Sequence, residues 1–213
     1  MSDRKARTSG SLKTHSVHPP KMVYPPPGVS NLTALLQGAP TAGSVSIVRC
    51  PADTLTRIRQ LNEAEVITLF TPFVPHPPST VLARDMDPFE PLGRALPRQV
   101  RHVPFRLDHG MTETHAGFLP ASGVVIIVIC STENVTDHNA HAFEQQAKFA
   151  RDVVKRSGES KHLSGVPLVL LLVTDGAASQ FHRDGLSDFP ALVTCNNYTT
   201  AALSNVVRAI FGN

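Results

Sequence analysis

The amino-acid sequence predicts an α/β fold, in which helices cover both faces of a mainly parallel β-sheet. The strongest observation is the run Gly123–Cys130, whose seven consecutive apolar residues are rich in β-branched types and too few for a helix. A second apolar run, Val166–Val173, follows after one helix-length segment. Strand, helix and strand at this spacing predict a right-handed crossover within one sheet.

The N-terminal half of the domain adds three strand candidates and one helix. Val45–Val48 indicates a first strand, and Pro51 then opens an amphipathic helix that carries Leu55, Ile58 and Leu61 on one face. The other strand candidates are Glu65–Phe70 and Gln99–Leu107, and the proline-rich stretch Thr71–Pro97 between them is predicted to be a long loop. Because Pro104 lacks an amide proton, Gln99–Leu107 is expected at an edge or a strand end.

The C-terminal half predicts two helices and a short strand. A loop is expected from Asp108 to Ser122, and Asp137 is the predicted N-cap of a helix over residues 139–156. Ala191–Thr194 indicates a short last strand. Thr200–Phe211 then shows apolar residues at helical spacing, which predicts a terminal helix with one buried face.

Composition divides the 213-residue chain into an arm and a domain. Residues 1–43 are rich in Ser, Thr, Pro and basic side chains and bury too little apolar surface to fold alone, so the domain is expected over residues 44–213. The arm carries a charge of +4, which leaves −1 for the domain out of a net charge of +3. This distribution disfavours nucleic-acid binding by the domain, and it allows the arm either to lie on an acidic partner surface or to be a merely solvated tail.

The cysteine content and the hydropathy indicate the compartment. Three cysteines without a secretory signal predict a reducing environment, and no apolar stretch approaches the length of a membrane-spanning helix. We therefore expect a cytoplasmic protein without membrane insertion, although import into mitochondria stays an alternative because basic and hydroxyl residues dominate the first residues.

Three groups of residues could carry chemistry. Cys50, Cys130 and Cys195 are all expected at the carboxyl ends of predicted parallel strands, the edge where such sheets bind ligands, but without paired spacing they indicate small core residues rather than a metal site. His138 and His141 beside Asp137 are interpreted as surface residues. A triad of Ser122, His109 and Asp108 is conceivable, but no nucleophile elbow is present. We expect no catalytic, metal or cofactor-binding residues.

From Val45 onward the order of elements resembles the small GTPase superfamily, with the Ras-like three-layer sandwich as the implied fold. The resemblance is carried by Ala121-Ser122-Gly123 before the central strand, Phe143 early in the helix, and the last strand and helix over Ala191–Ile210. The family's motifs are degenerate. The phosphate-loop window Arg49–Thr56 has neither the glycines nor the lysine that phosphates require.

The other motifs of that family depart in the same way. Asp108-His109-Gly110 is one residue too short for the magnesium loop, Thr174–Ala177 replaces the guanine-reading motif, and Thr194-Cys195-Asn196 replaces the last nucleotide loop. The resemblance therefore implies a pseudo-GTPase that hydrolyses no GTP and serves as a structural scaffold of a cytoplasmic assembly. Analogy and charge suggest tubulin or axonemal partners on microtubules or in a cilium or flagellum. The alternative is a divergent GTPase that acts as a weak nucleotide-binding switch.

Overall fold

The computed structural model describes residues 43–78, 82–83, 85–159, 163 and 165–212 of the chain. The predicted arm therefore lies outside the described residues, apart from Gly43. The strands are Val45–Arg49 (β1), Ile67–Pro72 (β2), Val100–Phe105 (β3), Val124–Cys130 (β4), Leu168–Val173 (β5) and Leu192–Cys195 (β6). The described helices are Ala52–Arg59 (α1), Glu90–Ala95 (α2), Glu113–Phe118 (α3), Glu133–Thr136 (α4), Ala142–Gly158 (α5), Ser179–Asp184 (α6) and Thr200–Phe211 (α7), with a 3₁₀ turn at Leu119–Ala121.

The strands form one six-stranded sheet in the order β1-β6-β5-β4-β2-β3. All neighbours pair in parallel except β1, which runs antiparallel to β6 at one edge. Successive strands β2, β3, β4, β5 and β6 are thus joined by crossovers. The prediction of a mainly parallel sheet is confirmed, and so is the edge position indicated by Pro104, since β3 is the other outer strand.

Helices cover both faces of the sheet, as predicted. All seven residues of β4 are buried, and alternate side chains enter two separate apolar clusters. Ile126 and Val128 pack in the cluster that receives residues of α1, α2 and α7. Ile127 and Ile129 pack on the opposite face with residues of α5. A central strand buried on both sides explains why Gly123–Cys130 lacks polar alternation.

Three local predictions were wrong. The stretch Thr71–Pro97 contains α2, because a proline in the first helical turn removes only an amide that has no partner within the helix. The loop expected at Asp108–Ser122 contains α3. Asp137 does not begin the long helix: it ends α4, where its amide donates to Glu133 O at 2.9 Å, and α5 begins at Ala142.

The strand order also departs from the Ras-like layout expected for this chain. By analogy with small GTPases, the window Arg49–Thr56 was expected to follow a parallel strand. It would then lie at the carboxyl edge of the sheet, where a phosphate loop binds its ligand. It instead follows β1, an antiparallel edge strand, so Arg49 pairs with Leu192 at the start of β6. The window therefore lies toward the amino edge of the parallel strands, away from the edge where such sheets bind ligands.

The strands β2 and β4 separate toward their carboxyl ends. Their pairing stops at Phe70 and Ile127, whereas β4 continues to pair with β5 as far as Cys130. Beyond that point the side chain of Gln146 replaces the missing strand. The amide of Cys130 donates to Gln146 Oε1 at 2.7 Å, and Gln146 Nε2 donates to Cys130 O at 2.8 Å. Gln146 is completely buried, so these bonds satisfy backbone groups that water cannot reach.

Substitution of Gln146→Leu tests this interaction. The change keeps the volume approximately but leaves the buried N–H and C=O of Cys130 without partners, which is expected to lower the free energy of unfolding by about 3 kcal/mol. Urea denaturation measures the loss. The control is Gln180→Leu, which removes an exposed amide on α6. Equal midpoints for the two variants would contradict this role of Gln146.

Two buried imidazoles predict the pH dependence of stability. Burial lowers the pKa of His115, which packs edge-on against Phe70 and Phe149, and burial also lowers the pKa of His182. As the pH falls, these histidines therefore bind protons at a higher pH in the unfolded chain than in the folded chain. The free energy of unfolding should be highest above pH 6.5, the ordinary pKa of histidine, and should decrease as the pH drops below it. Urea midpoints from pH 8 to pH 5 measure this slope.

The slope should become shallower in His115→Phe, which removes one of the two buried imidazoles. His141→Gln, which removes an exposed imidazole, serves as the control. A slope that is identical in wild type and His115→Phe would contradict the assignment.

Candidate functional site

The sheet has a topological switch point between β2 and β4. The chain leaves β2 toward β3 on one side, and the remaining crossovers proceed from β4 in the other direction. In open α/β sheets, ligands bind in the crevice outside the carboxyl ends of the strands at such a point. The separation of β2 from β4 beyond Phe70 and Ile127 places the crevice here.

A cavity of about 590 Å³ lies at this position, within the size range of small-molecule sites. Its walls come from the segments that follow β2 and β3, from α4 and the turn after it, and from the start of α5. The lining residues are Phe73, Val74, Pro75, Arg106, Leu107, Asp108, Val135, His138, Asn139 and Gln145. This switch-point cleft is our candidate functional site.

An exposed aromatic ring forms part of the cleft wall. The amide of Phe73 makes a hydrogen bond with Phe105 O at 2.9 Å, which fixes the backbone where it leaves the sheet. Phe73 is 73% exposed, more than any other large apolar residue in the described part of the chain. Below it, Val74 and Leu107 supply apolar surface. An aromatic ring held open beside such a cavity is available to a ligand.

The charged groups of the cleft neutralise each other. Arg106 donates from Nε and Nη2 to the two carboxylate oxygens of Asp108 at 3.1 and 2.9 Å, and His109 Nδ1 donates to Asp108 Oδ1 at 3.0 Å. These bonds, that of Arg106 foremost, hold the pKa of Asp108 well below its usual range. Asp108 therefore stays ionised and can accept hydrogen bonds, but it has no proton to give to a substrate.

The polar side of the cleft presents an imidazole and an amide. His138 Nδ1 donates to Asn134 O at 2.7 Å, so Nε2 of the neutral ring is an acceptor. Asn139 Nδ2 donates to Gln145 Oε1 at 2.8 Å, so Nε2 of Gln145 is the atom that can donate to a ligand. The cleft thus combines an aromatic face, an ionised acceptor, a neutral acceptor and an amide donor.

A second cavity of about 450 Å³ adjoins α4 at the carboxyl ends of β4, β5 and β6. It has carboxylates and amides in its walls, and its lining residues are Pro77, Pro78, Thr132, Glu133, Asn134, Asp137, Asp175, Asn197, Tyr198 and Thr199. Asn134 and Tyr198 are also hydrogen-bonded to the segment that forms one wall of the switch-point cleft.

The three cysteines do not come together. Cys130 and Cys195 are buried at the carboxyl ends of β4 and β6, where β5 separates the two strands. Cys50 lies at the opposite edge because β1 is antiparallel, so its predicted position at the carboxyl edge was wrong. Burial raises the pKa of the Cys130 thiol to about 12, which makes it an inert core residue. Among the described residues no group of His, Cys, Asp and Glu could hold a metal ion.

The conceivable triad is also absent from the described structure. Ser122 is buried at the amino end of β4, where its hydroxyl lies 2.7 Å from Thr68 Oγ1 and donates to Phe118 O. Asp108 and His109 lie beyond the carboxyl end of β3. The two ends of the sheet are separated by the length of a strand, so these residues cannot cooperate in catalysis.

A serine and a histidine do meet elsewhere, at the carboxyl ends of β4 and β5. His182 Nδ1 lies 3.0 Å from Ser131 Oγ and 2.9 Å from Thr174 Oγ1. All three side chains are at least 94% buried, which leaves a substrate no access to the hydroxyls. This cluster satisfies buried polar atoms and holds α6 against the sheet.

The sequence interpretation missed the cleft residues. His138 is exposed, as predicted, but its place in the cleft lining was not foreseen, and Phe73 and Arg106 were not singled out. One signal was present: Phe73 is an aromatic residue that directly follows a predicted strand at the start of a proline-rich stretch. The position of the switch point was the missing information, because it depends on the strand order.

Comparison with known proteins gives similarity in fold only. No family model and no curated protein matches the chain. A fungal multi-domain glycoside hydrolase family 3 β-N-acetylglucosaminidase with a GCN5-related glucosamine N-acetyltransferase region is similar in structure, with a TM-score of 0.51 and 14% identity. A family 3 β-N-acetylglucosaminidase from Paenibacillus sp. str. FPU-7 has a TM-score of 0.50 and 14% identity. The chain is covered over 80% and 79% and corresponds to 17% and 28% of these proteins.

These neighbours correct the resemblance inferred from the order of elements. They are glycosidase-associated α/β structures and not small GTPases, so the pseudo-GTPase assignment was wrong. The scaffold role, the alternative of a nucleotide switch and the cytoskeletal or ciliary setting were inferred from it and are corrected with it. The expectations about protein partners, nucleic acid and compartment stay predictions. Among the described residues, no helix is both long and apolar enough to cross a membrane.

The exposed position of Phe73 predicts that the ring contributes little to folding. Phe73→Ala should change the free energy of unfolding by no more than about 0.5 kcal/mol, because the ring is solvated in both states. Thermal denaturation of the variant beside wild type measures this. A melting temperature lowered by several degrees would show that Phe73 belongs to the core and not to an open site.

Proposed function

We propose that this protein is a ligand-binding α/β domain whose switch-point cleft takes an uncharged, polyhydroxylated ring such as a sugar, and that it binds this ligand without cleaving it. The observation that carries the proposal is the exposed ring of Phe73 beside a cavity with convergent donors and acceptors. The fold similarity to family 3 β-N-acetylglucosaminidases supports a sugar as the first ligand to test.

The charge of the cleft favours a neutral ligand. Among the residues that the structure describes, Arg106 is the one arginine or lysine in the lining, and its guanidinium donates two hydrogen bonds to the carboxylate of Asp108. A phosphorylated ligand would have to displace Asp108. Pro75 in the lining has no backbone N–H to offer such a ligand. A nucleotide is therefore a poor fit.

The composition of the walls favours a ring with hydroxyl groups. The flat face of Phe73 can pack against the C–H groups of a sugar ring. Asp108 and His138 Nε2 can accept hydrogen bonds from hydroxyls, while Gln145 Nε2 can donate to one. Apolar contact on one side and polar contact on the other side match a ligand that is itself amphipathic.

The carboxylates of the cleft favour binding over glycosidic cleavage. Cleavage requires two carboxyl groups, one of which keeps its proton at neutral pH and acts as the acid. Within the described part of the chain, Asp108 is the one carboxylate in the lining, and Arg106 keeps it ionised. The proposal is thus a recognition domain with no cofactor and no catalysis of its own.

Titration calorimetry of the full chain with N-acetylglucosamine tests the proposal. We expect a dissociation constant on the order of millimolar, because one small ring buries little area. Phe73→Ala should weaken binding about tenfold through loss of the aromatic contact.

Phe181→Ala is the matched control, since Phe181 is 65% exposed on α6 and does not line the cleft. It should bind as wild type does. Absence of heat with N-acetylglucosamine and with its β-1,4-linked dimer, or equal loss in both variants, would contradict the proposal.

A further inference from the structure

One wall of the switch-point cleft is held from outside by two side chains. The wall is the segment Phe73–His76, which follows β2. Tyr198, in the connection between β6 and α7, donates its hydroxyl proton to Pro75 O at 2.9 Å. Asn134, on α4, donates through Nδ2 to His76 O at 2.9 Å and to the Tyr198 hydroxyl at 3.0 Å. Two successive carbonyl groups of the wall are therefore fixed by one small network.

This wall depends on its carbonyl groups because prolines limit its donors. Pro75, Pro77 and Pro78 have no backbone N–H. The last amide of the segment bonded to the neighbouring strand is that of Phe73, which donates to Phe105 O. Farther along, His76 Nε2 donates to Met86 O at 2.7 Å. Between these points the bonds from Tyr198 and Asn134 hold the backbone carbonyls of Pro75 and His76, and Val74 packs in the core.

The wall is only partly packed against the core. Val74 lies in the core cluster, but the segment borders the switch-point cleft, and its continuation at Pro77 and Pro78 lines the second cavity, together with Asn134 and Tyr198. Segments beside open space move unless hydrogen bonds hold them. The network therefore sets the distance between Phe73 and the opposite wall.

Tyr198 is a rigid anchor for this purpose. Its side chain is 98% buried, and its ring stacks on Phe89 with centroids 5.6 Å apart and planes at 24°. Burial also raises the pKa of Tyr198 to about 12, so the hydroxyl keeps its proton and remains a donor at neutral pH. The hydroxyl of Tyr198 therefore has a fixed position beside α7, and its bond to Pro75 O holds the wall relative to that position.

We propose that Tyr198 and Asn134 are positioning residues of the ligand cleft, which hold the wall carrying Phe73 at the distance that a bound ring requires. This inference rests on the proposed function, because it assigns the residues that set the affinity of the same cleft. Neither side chain lines the cleft, so both act through the Phe73–His76 backbone.

A double-mutant cycle tests the proposal. Tyr198→Phe removes the hydroxyl and retains the ring that stacks on Phe89. It should weaken binding of N-acetylglucosamine about fivefold, since the loss corresponds to one hydrogen bond that orders the site. In the Phe73→Ala background the same change should weaken binding by less than twofold, because the wall then has no ring to position.

The matched background is Phe181→Ala, in which Tyr198→Phe should keep its fivefold effect. A purely structural role would lower the melting temperature in every background and leave the affinity of the folded protein unchanged. Either that result, or full additivity with Phe73→Ala, overturns the proposal. If Tyr198→Phe does not fold, Asn134→Ala replaces it in the cycle with the same expected pattern.

A measurement without ligand separates this inference from the proposed function. The amide of Phe73 donates to Phe105 O where the wall leaves the sheet. Its hydrogen exchange should be at least about tenfold faster in Tyr198→Phe than in wild type, while exchange in β4 stays the same. Unchanged exchange at Phe73 overturns the inference even if sugar binding is observed. If wild type does not bind N-acetylglucosamine, the proposed function fails, and the exchange rates still decide whether Tyr198 and Asn134 hold the wall.

Discussion

The structure depends on how the central strand ends. β4 extends beyond the last residue that pairs with β2. The N–H and C=O of Cys130 would therefore be buried without partners if nothing replaced the neighbouring strand. Gln146 supplies both the acceptor and the donor from within α5. Because this amide substitutes for a strand, β2 is free to diverge, and the divergence is what opens a crevice at the switch point of the sheet.

The chemistry of the cleft follows from that geometry. The segments that leave β2 and β3 are brought beside α4 and α5, so an aromatic ring, a neutralised ion pair and a polar helix start face one cavity. The pairing of Arg106 with Asp108 removes both the free cation that a phosphate would need and the protonated carboxyl that glycosidic cleavage would need. The remaining groups of the cleft suit recognition of an uncharged ring.

The sequence was informative where burial controls the pattern. The run Gly123–Cys130 identified a strand buried on both faces, Pro104 indicated an edge strand, and Thr200–Phe211 marked the last helix with the observed bounds. Strand order was not accessible, because a run buried on both faces has the same pattern whichever strands flank it.

The direction of β1 shows the same limit. Val45–Val48 has no pattern that distinguishes a parallel from an antiparallel strand, and the phosphate-loop window was assigned by analogy to the residues that follow it. Its position at an antiparallel edge moves Cys50 and the phosphate-loop window away from the binding edge. The cleft could not be assembled from the sequence for the same reason, since Phe73, Arg106 and His138 become neighbours only through the strand order.

The most direct test of the account is to map where a sugar binds. Backbone amide chemical shifts of isotopically labelled protein, followed during titration with N-acetylglucosamine, locate the contact surface. The account predicts that the largest shifts fall in residues 73–76, 106–108 and 135–139, at the carboxyl ends of β2 and β3 and around α4. Shifts concentrated at another surface, or none at saturating sugar, would contradict it.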